Sequence, residues 1–183
     1  GAKHQPGALF LQQKDGSFKE KKTQSFEKDS EHQGEDAVFF DADGDGDLDL
    51  YVVSGGYLFE EKDPLLQDRL YLNDGQANFK TSISGLPRET LAGSRVAVID
   101  IDSDGDLDII SGRNERYNLI YLINENAMFQ MGQFVSMDVE STWAIQIGDV
   151  DKDGDLDIVA GMNNYLNRIY LNNKAPILSD FDA

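Results

Sequence analysis

The chain has 183 residues, 40% of them apolar and none of them cysteine, which suits one sizeable core and excludes disulfide frameworks and thiol chemistry. Thirty-four acids against sixteen Lys and Arg give a formal charge of −18, so nucleic acid and anionic membrane surfaces, which need a basic footprint, are disfavoured as partners. No secretory signal and no apolar run of transmembrane length is present, which predicts a mature product or an excised piece of a longer chain, without membrane insertion.

The first predicted element is a hairpin. Leu9-Phe10-Leu11 and Phe18 flank the turn Lys14-Asp15-Gly16, as the last two strands of a preceding repeat unit would. Residues 1–36 are therefore assigned to a trailing hairpin and its connection, and the chain begins in mid-repeat. Lys19, Lys21 and Lys22 read as a solvated strand edge, and His4 and His32 as solvated surface groups. The apolar strand Ala37-Val38-Phe39-Phe40 then leads into Asp41-Ala42-Asp43-Gly44-Asp45-Gly46-Asp47-Leu48-Asp49 and out into Leu50-Tyr51-Val52-Val53. The same acidic pattern returns at Asp100, Asp102, Asp104, Asp106 and Asp108, and again at Asp149, Asp151, Asp153, Asp155 and Asp157.

Loop starts lie 59 and 49 residues apart, a period that signals propeller blades or solenoid units. Leu70-Tyr71-Leu72, Ile120-Tyr121-Leu122 and Ile169-Tyr170-Leu171 recur at the same stage of each unit, and Phe79 and Phe129 follow Tyr71 and Tyr121 by eight residues. Tyr71 lies 30 residues after its loop start and the other two tyrosines 21 after theirs, so the first unit carries a nine-residue insertion. Each unit reads as four strands, with blades assigned to 37–94, 95–142 and 143–183. The third lacks a clear closing phenylalanine, and residues 175–181 are left unassigned. The strand before each loop is apolar at nearly every position and is expected to be buried on both faces. Trp143, at the start of the third such strand, is assigned to the core. The predicted fold class is all-β: about three and a half four-stranded antiparallel propeller blades with almost no helix. Propellers typically close with about four to eight blades, so an open fragment, a part of a larger ring, or two copies that self-associate to complete one are the expected contexts.

The alternating acids call for a cation. Glycines at Gly46, Gly105 and Gly154 break a strand reading and permit a tight loop, which brings the carboxylates together. Two like charges about 5 Å apart repel by roughly 3 kcal/mol at an effective dielectric of 20, and each loop holds several such pairs. Hard oxygen donors without His or Cys favour calcium over zinc, and magnesium prefers a more rigid octahedral shell. An EF-hand is excluded, because its twelfth position needs a bidentate Glu where this chain has Val52, Ser111 and Ala160. The ninth-position acid, Asp49, Asp108 or Asp157, is left to close the site.

The sequence Asp-x-Asp-Gly-Asp-Gly-Asp-Leu-Asp-Leu with Tyr-Val-Val-Ser-Gly-Gly, followed by Asp-Arg-Leu-Tyr-Leu-Asn-Asp-Gly and Asn-Phe, resembles the FG-GAP (VCBS) repeat of integrin alpha subunits and many bacterial surface proteins. Within that superfamily it is most similar to repeats beside ASPIC/UnbV domains of bacterial secreted proteins. The resemblance implies a β-propeller whose loops join the first and second strands of each blade and hold three structural calcium ions. Side-chain ligands would be Asp41, Asp43, Asp45 and Asp49; Asp100, Asp102, Asp104 and Asp108; and Asp149, Asp151, Asp153 and Asp157. Asp47, Asp106 and Asp155 would each give a backbone carbonyl. The Phe-Gly and Gly-Ala-Pro signatures of integrins are not present as such, so integrin-type ligand binding does not carry over.

Loops between the second and third strands would share the opposite face, where Tyr57, Phe59, Arg113, Arg116, Tyr117, Asn163, Asn164 and Tyr165 are candidate ligand-binding residues for a protein or carbohydrate partner. Isolated histidines, and no nucleophile elbow, phosphate loop or zinc motif, disfavour an enzyme. The expected function is a calcium-binding extracellular, cell-surface or periplasmic scaffold for adhesion or binding. The alternative is a non-catalytic propeller module of a larger extracellular enzyme acting on polysaccharide or phospholipid.

Overall fold

The computed structural model describes residues 5–57, 59–60, 62–114, 119–134, 141–163, 165–172 and 179–181, with backbone alone for 133, 134 and 179–181. Among them, strands β1 (Leu9–Gln12) and β2 (Phe18–Lys21) form the expected hairpin. Three four-stranded antiparallel meanders follow: β3 (Gly34–Phe40), β4 (Asp49–Ser54), β5 (Arg69–Leu72) and β6 (Lys80–Thr81); β7 (Gly93–Ile99), β8 (Asp108–Arg113), β9 (Leu119–Glu125) and β10 (Met128–Phe134); and β11 (Thr142–Gly148), β12 (Asp157–Met162), β13 (Arg168–Leu171) and β14 (Ser179–Phe181). The fold is all-β and built of propeller blades, and the described strands do not close a ring. A five-residue helix, α1 (Gln24–Lys28), links the hairpin to the first blade, and a short 3-10 turn at Pro64–Leu66 sits in the long β4–β5 connection. Residues 179–181 of the unassigned stretch form β14, whose Phe181 pairs with Ile169, and residues 175–178 lie outside the described ones.

Period-2 alternation explains how one blade binds two neighbours. Along β4, Tyr51 and Val53 face the second blade, where they join Ile109, Ile120 and Leu122 in one core, while Leu50 faces the other way to Tyr71, Phe79 and Phe26 of α1. Ile110 of β8 and Ile158 of β12 meet in the core between the second and third blades. Each fully buried Leu or Ile in these cores is worth about 1.5–3 kcal/mol, so most of the apolar contribution arises between blades. Inner strand β3 packs on β7, and β7 on β11. At that seam a Cβ on Gly93 would collide with the Val53 side chain, so only glycine lets the strands approach.

Two expectations are corrected. The most buried strand is the one after each acidic loop: β8 is buried at all six positions, β4 at five of six and β12 at four of six, whereas β3 and β11 are largely exposed or half-buried. β3, β7 and β11 are edge strands with one hydrogen-bonded neighbour each, whereas β4, β8 and β12 are paired on both sides. Trp143 accordingly lies outside the core, 54% exposed. The tyrosine landmark also slips by one residue. Leu50 pairs with Tyr71 and Ile158 with Tyr170, but the equivalent Ile109 pairs with Leu122 rather than Tyr121. A one-residue slip turns a side chain to the opposite face. Tyr121 therefore packs toward the third blade, while Tyr71 faces α1 and the hairpin and Tyr170 faces the second blade.

Candidate metal centres and the opposite face

Each acidic loop connects the first and second strands of its blade and is wired by its own carboxylates. The first aspartate spans the turn: Asp41 Oδ1 and Oδ2 accept from the backbone N–H groups of Gly44 and Gly46 at 2.9 Å each. Asp149 accepts likewise from Lys152 (2.7 Å) and Gly154 (3.2 Å), and Asp100 from Asp104 (3.2 Å) and Gly105 (3.1 Å). Asp45, Asp104 and Asp153 each accept from the N–H two residues on, at 2.9 Å. The glycines behave as their placement predicts, with φ of 90° at Gly46, 102° at Gly105 and 95° at Gly154, a region that other residues occupy only with strain. Ser103 and Lys152, standing where the first loop has Gly44, take left-handed values of 63° and 66°.

The ninth-position acids have a second task. Asp49, Asp108 and Asp157 are each 0% exposed, and every one accepts two backbone hydrogen bonds. One comes from the residue after the loop's first aspartate, namely Ala42 (2.9 Å), Ile101 (2.9 Å) and Val150 (2.8 Å). The other comes from an asparagine at the end of the third strand, just past it for Asn73 (2.7 Å) and Asn172 (2.9 Å) and inside its last residues for Asn124 (2.7 Å). These asparagines were not singled out in the sequence. Their recurrence just beyond the apolar trios was the available signal, blurred by the register slip in the second unit.

Carboxylate oxygens converge in every loop. One oxygen each from Asp41, Asp43 and Asp45, from Asp100, Asp102 and Asp108, and from Asp149, Asp151 and Asp157 lies within 4.8 Å of the others in its group. Oxygens around a calcium ion sit about 2.3–2.6 Å from it and hence up to about 5 Å from one another, so the all-oxygen groups suit such an ion. Asp49 is outside the first group, and Asp104 and Asp153 are outside the other two. Asp47 turns toward the β5–β6 turn, where a Cβ on Gly75 would strike its carboxylate. Burial, and then repulsion from Asp45 or Asp104, pushes the Asp43 and Asp102 carboxyls above their ordinary range. Asp108 is pushed up to about 6, by burial against the opposing backbone donors, with Asp102 and Asp104 adding repulsion.

At the other end of the blades the expected ligand residues separate. Tyr57 (92% exposed) and Tyr165 (57%) are open to solvent. Phe59 and Asn163 are half-buried, the latter donating its N–H to the Ser141 carbonyl. Arg116, Tyr117 and Asn164 lie outside the described residues. Arg113 is corrected: it is 1% exposed, inside β8, and its Nη2 pairs with Asp68 at 2.7 Å across the blade boundary. Asp68 also accepts from the Tyr51 hydroxyl (2.6 Å) and the Ser54 N–H (2.7 Å), so Arg113 completes a buried polar network and cannot reach a surface ligand. His32 is half-buried rather than solvated, its Nδ1 within 3.0 Å of the Leu65 carbonyl.

No curated protein matches the chain. The model of the FG-GAP-like repeat matches residues 2–52, 66–111 and 100–160, well over half of the sequence. All three matches end on the strand that leaves an acidic loop, which places β4, β8 and β12 at one stage of a common repeat, and on that recurrence the chain belongs to the family of FG-GAP-like repeat proteins.

Proposed function

We propose that the chain is a calcium-stabilised propeller module that presents a binding face to a protein or carbohydrate outside the cytoplasm, at a cell surface or in a periplasm. The observation that carries this reading is the threefold recurrence of an all-oxygen carboxylate group at the same bend of the fold. Gathering that much negative charge without a counter-ion would cost several kcal/mol per loop, comparable with the whole stability of a domain. Loops built this way fill dependably where calcium is abundant, which is the reason for the extracellular setting. Calcium here is structural, holding the strand ends at one face of the blades and leaving the other free for a partner.

The test is a thermal melt followed by circular dichroism in calcium, in magnesium and in chelator, with the solution mass measured on the same samples. A calcium-specific rise in melting temperature is expected, since a ligand at about 1,000 times its Kd stabilises by about 4 kcal/mol per site. Identical melts in calcium and chelator would overturn the reading. A mass of two chains would identify self-association as the way the blades complete a ring.

A further inference from the structure

Three different side chains stand at one equivalent position in the three blades. In every inner strand the pairing register slips by one residue, between Gly34 and Asp36, Gly93 and Arg95, and Thr142 and Ala144. The residues set off by these bulges are Glu35, Ser94 and Trp143. A β-bulge re-aims the side chain it carries, and all three line a single pocket of about 180 Å³ where the inner strands begin. Tyr57, Arg95 and Asn114 line it too. The pocket draws on all three blades and lies at the end opposite the acidic loops.

Its chemistry is specific. The Trp143 indole is 54% exposed and the Tyr57 ring 92%, so two aromatic faces stand beside polar groups rather than inside the core. Glu35 and Arg95 offset each other in charge, so neither an anion nor a cation is favoured by net charge in a chain that is otherwise strongly acidic. A carboxylate, a guanidinium and an amide together accept and donate hydrogen bonds. A sugar ring matches this set, because one face of a pyranose is apolar C–H surface that stacks on an aromatic ring and its rim carries hydroxyls that both donate and accept. The volume falls below the roughly 300–1,000 Å³ of sites for drug-sized ligands, which fits one ring rather than an enclosed oligosaccharide.

We propose that this pocket binds a single pyranose residue, as the free sugar or the end of a glycan, stacked on Trp143 with its hydroxyls held by Glu35, Arg95 and Asn114. The proposal rests on the module being a binding scaffold and names the ligand class of that scaffold. Trp143 is the one tryptophan in the chain, so its emission reports on the pocket directly. The calcium-loaded protein is screened on a glycan array, and the sugars retained, together with common monosaccharides, are titrated by fluorescence and calorimetry. A saturable emission change is expected, with Glu35→Gln and Arg95→Met each weakening binding about tenfold. Trp143→Ala should abolish heat of binding, and Trp143→Phe should keep part of it because a ring remains. Melting temperatures of the four variants, measured alongside, exclude loss of folding as the cause. Absence of any glycan binding by the folded protein overturns the proposal, as does binding that survives both Trp143→Ala and Glu35→Gln. Capture of a protein on this face without glycan binding would sink the sugar site and leave the scaffold reading standing.

Discussion

Asn124 reaches across the boundary between the first two blades and donates its Nδ2 to the carbonyl of Ala42, at 2.9 Å and 82 residues away in sequence. The same side chain also donates to the Leu107 carbonyl (3.1 Å) and accepts from the Ala127 N–H (2.9 Å). One buried amide thereby ties its own acidic loop to the preceding one. Asn172 repeats the tie one blade later, with Nδ2 at 3.4 Å from the Ile101 carbonyl. Asn124→Ala would leave two carbonyls and one N–H short of a partner, at about 1–3 kcal/mol for each group that stays buried. Denaturant unfolding should show a loss of at least about 2 kcal/mol, and Asn124→Asp should cost as much, because a carboxylate cannot donate and would face Asp108. A change below about 0.5 kcal/mol would mean the tie is ornamental.

The loop glycines allow the backbone term to be separated from packing. A Cβ built on Gly105 or Gly154 meets nothing within 4 Å, so an alanine there is opposed only by its left-handed φ, at roughly 1–2 kcal/mol. Gly154→Ala is expected to lower the melting temperature in chelator by a few degrees. In calcium titrations followed by calorimetry it should weaken one of three binding events and leave the other two unchanged. Uniform weakening of all three would show that the loops fill as one cooperative unit instead of blade by blade.

What was legible in the sequence was whatever repeats locally. Asp at alternate positions with Gly46, Gly105 and Gly154 marks a turn whatever surrounds it, and the four-strand unit follows from strand-length apolar runs at a fixed period. Burial of the strands was less accessible, because it depends on which strand has two hydrogen-bonded neighbours, a property of the sheet. Hence β3 and β11 were expected to be the most buried, and β4 and β8 are. The register of β9 was hidden by one extra residue in its approach, which put Leu122 where Tyr71 and Tyr170 stand. Arg113 was misplaced for a related reason. An arginine near a strand end looks solvated in sequence, and its buried partner Asp68 lies 45 residues earlier on another blade.

That pair makes its own prediction. Burial lowers the pKa of Arg113, but attraction from Asp68 and the hydrogen bond to it more than reverse this and leave it raised. Arg113 is 1% exposed and Asp68 6%, so the pair is almost fully desolvated. Removing one partner of a buried pair costs about 3–5 kcal/mol, whereas exchanging both for apolar residues of similar size is often close to neutral. Arg113→Met should destabilise by that amount in urea unfolding. Arg113→Met combined with Asp68→Leu should recover part of it, limited by the Ser54 N–H and Tyr51 hydroxyl that Asp68 also satisfies. Equal losses in the single and double variants would show that relieving the stranded Asp68 gains no more than is lost with those two bonds, against the recovery expected here.

The pH dependence of the metal-free protein should run against the usual direction for carboxylates. Asp108 moves from 3.8 up to about 6 in the folded chain, chiefly because burial penalises its charged form. Between those two values the folded state holds a proton that the unfolded state has released, so stability is highest at the acid end of the window and declines as pH rises through about 6. Two units correspond to on the order of 2–3 kcal/mol. His32 acts in the opposite sense, since burial and then Arg69 depress its pKa, and its contribution is present above about 6.5 and lost on acidification. The two are separated by Asp108→Asn, which keeps the shape and removes the titration. In chelator, the stability of wild type relative to Asp108→Asn should fall from pH 4 to pH 7. In saturating calcium the sign should reverse, because an ion held by Asp108 favours the deprotonated carboxylate and stabilises more as pH rises. A difference between the two proteins that is flat with pH in both media would remove Asp108 from any role in the charge balance of its loop.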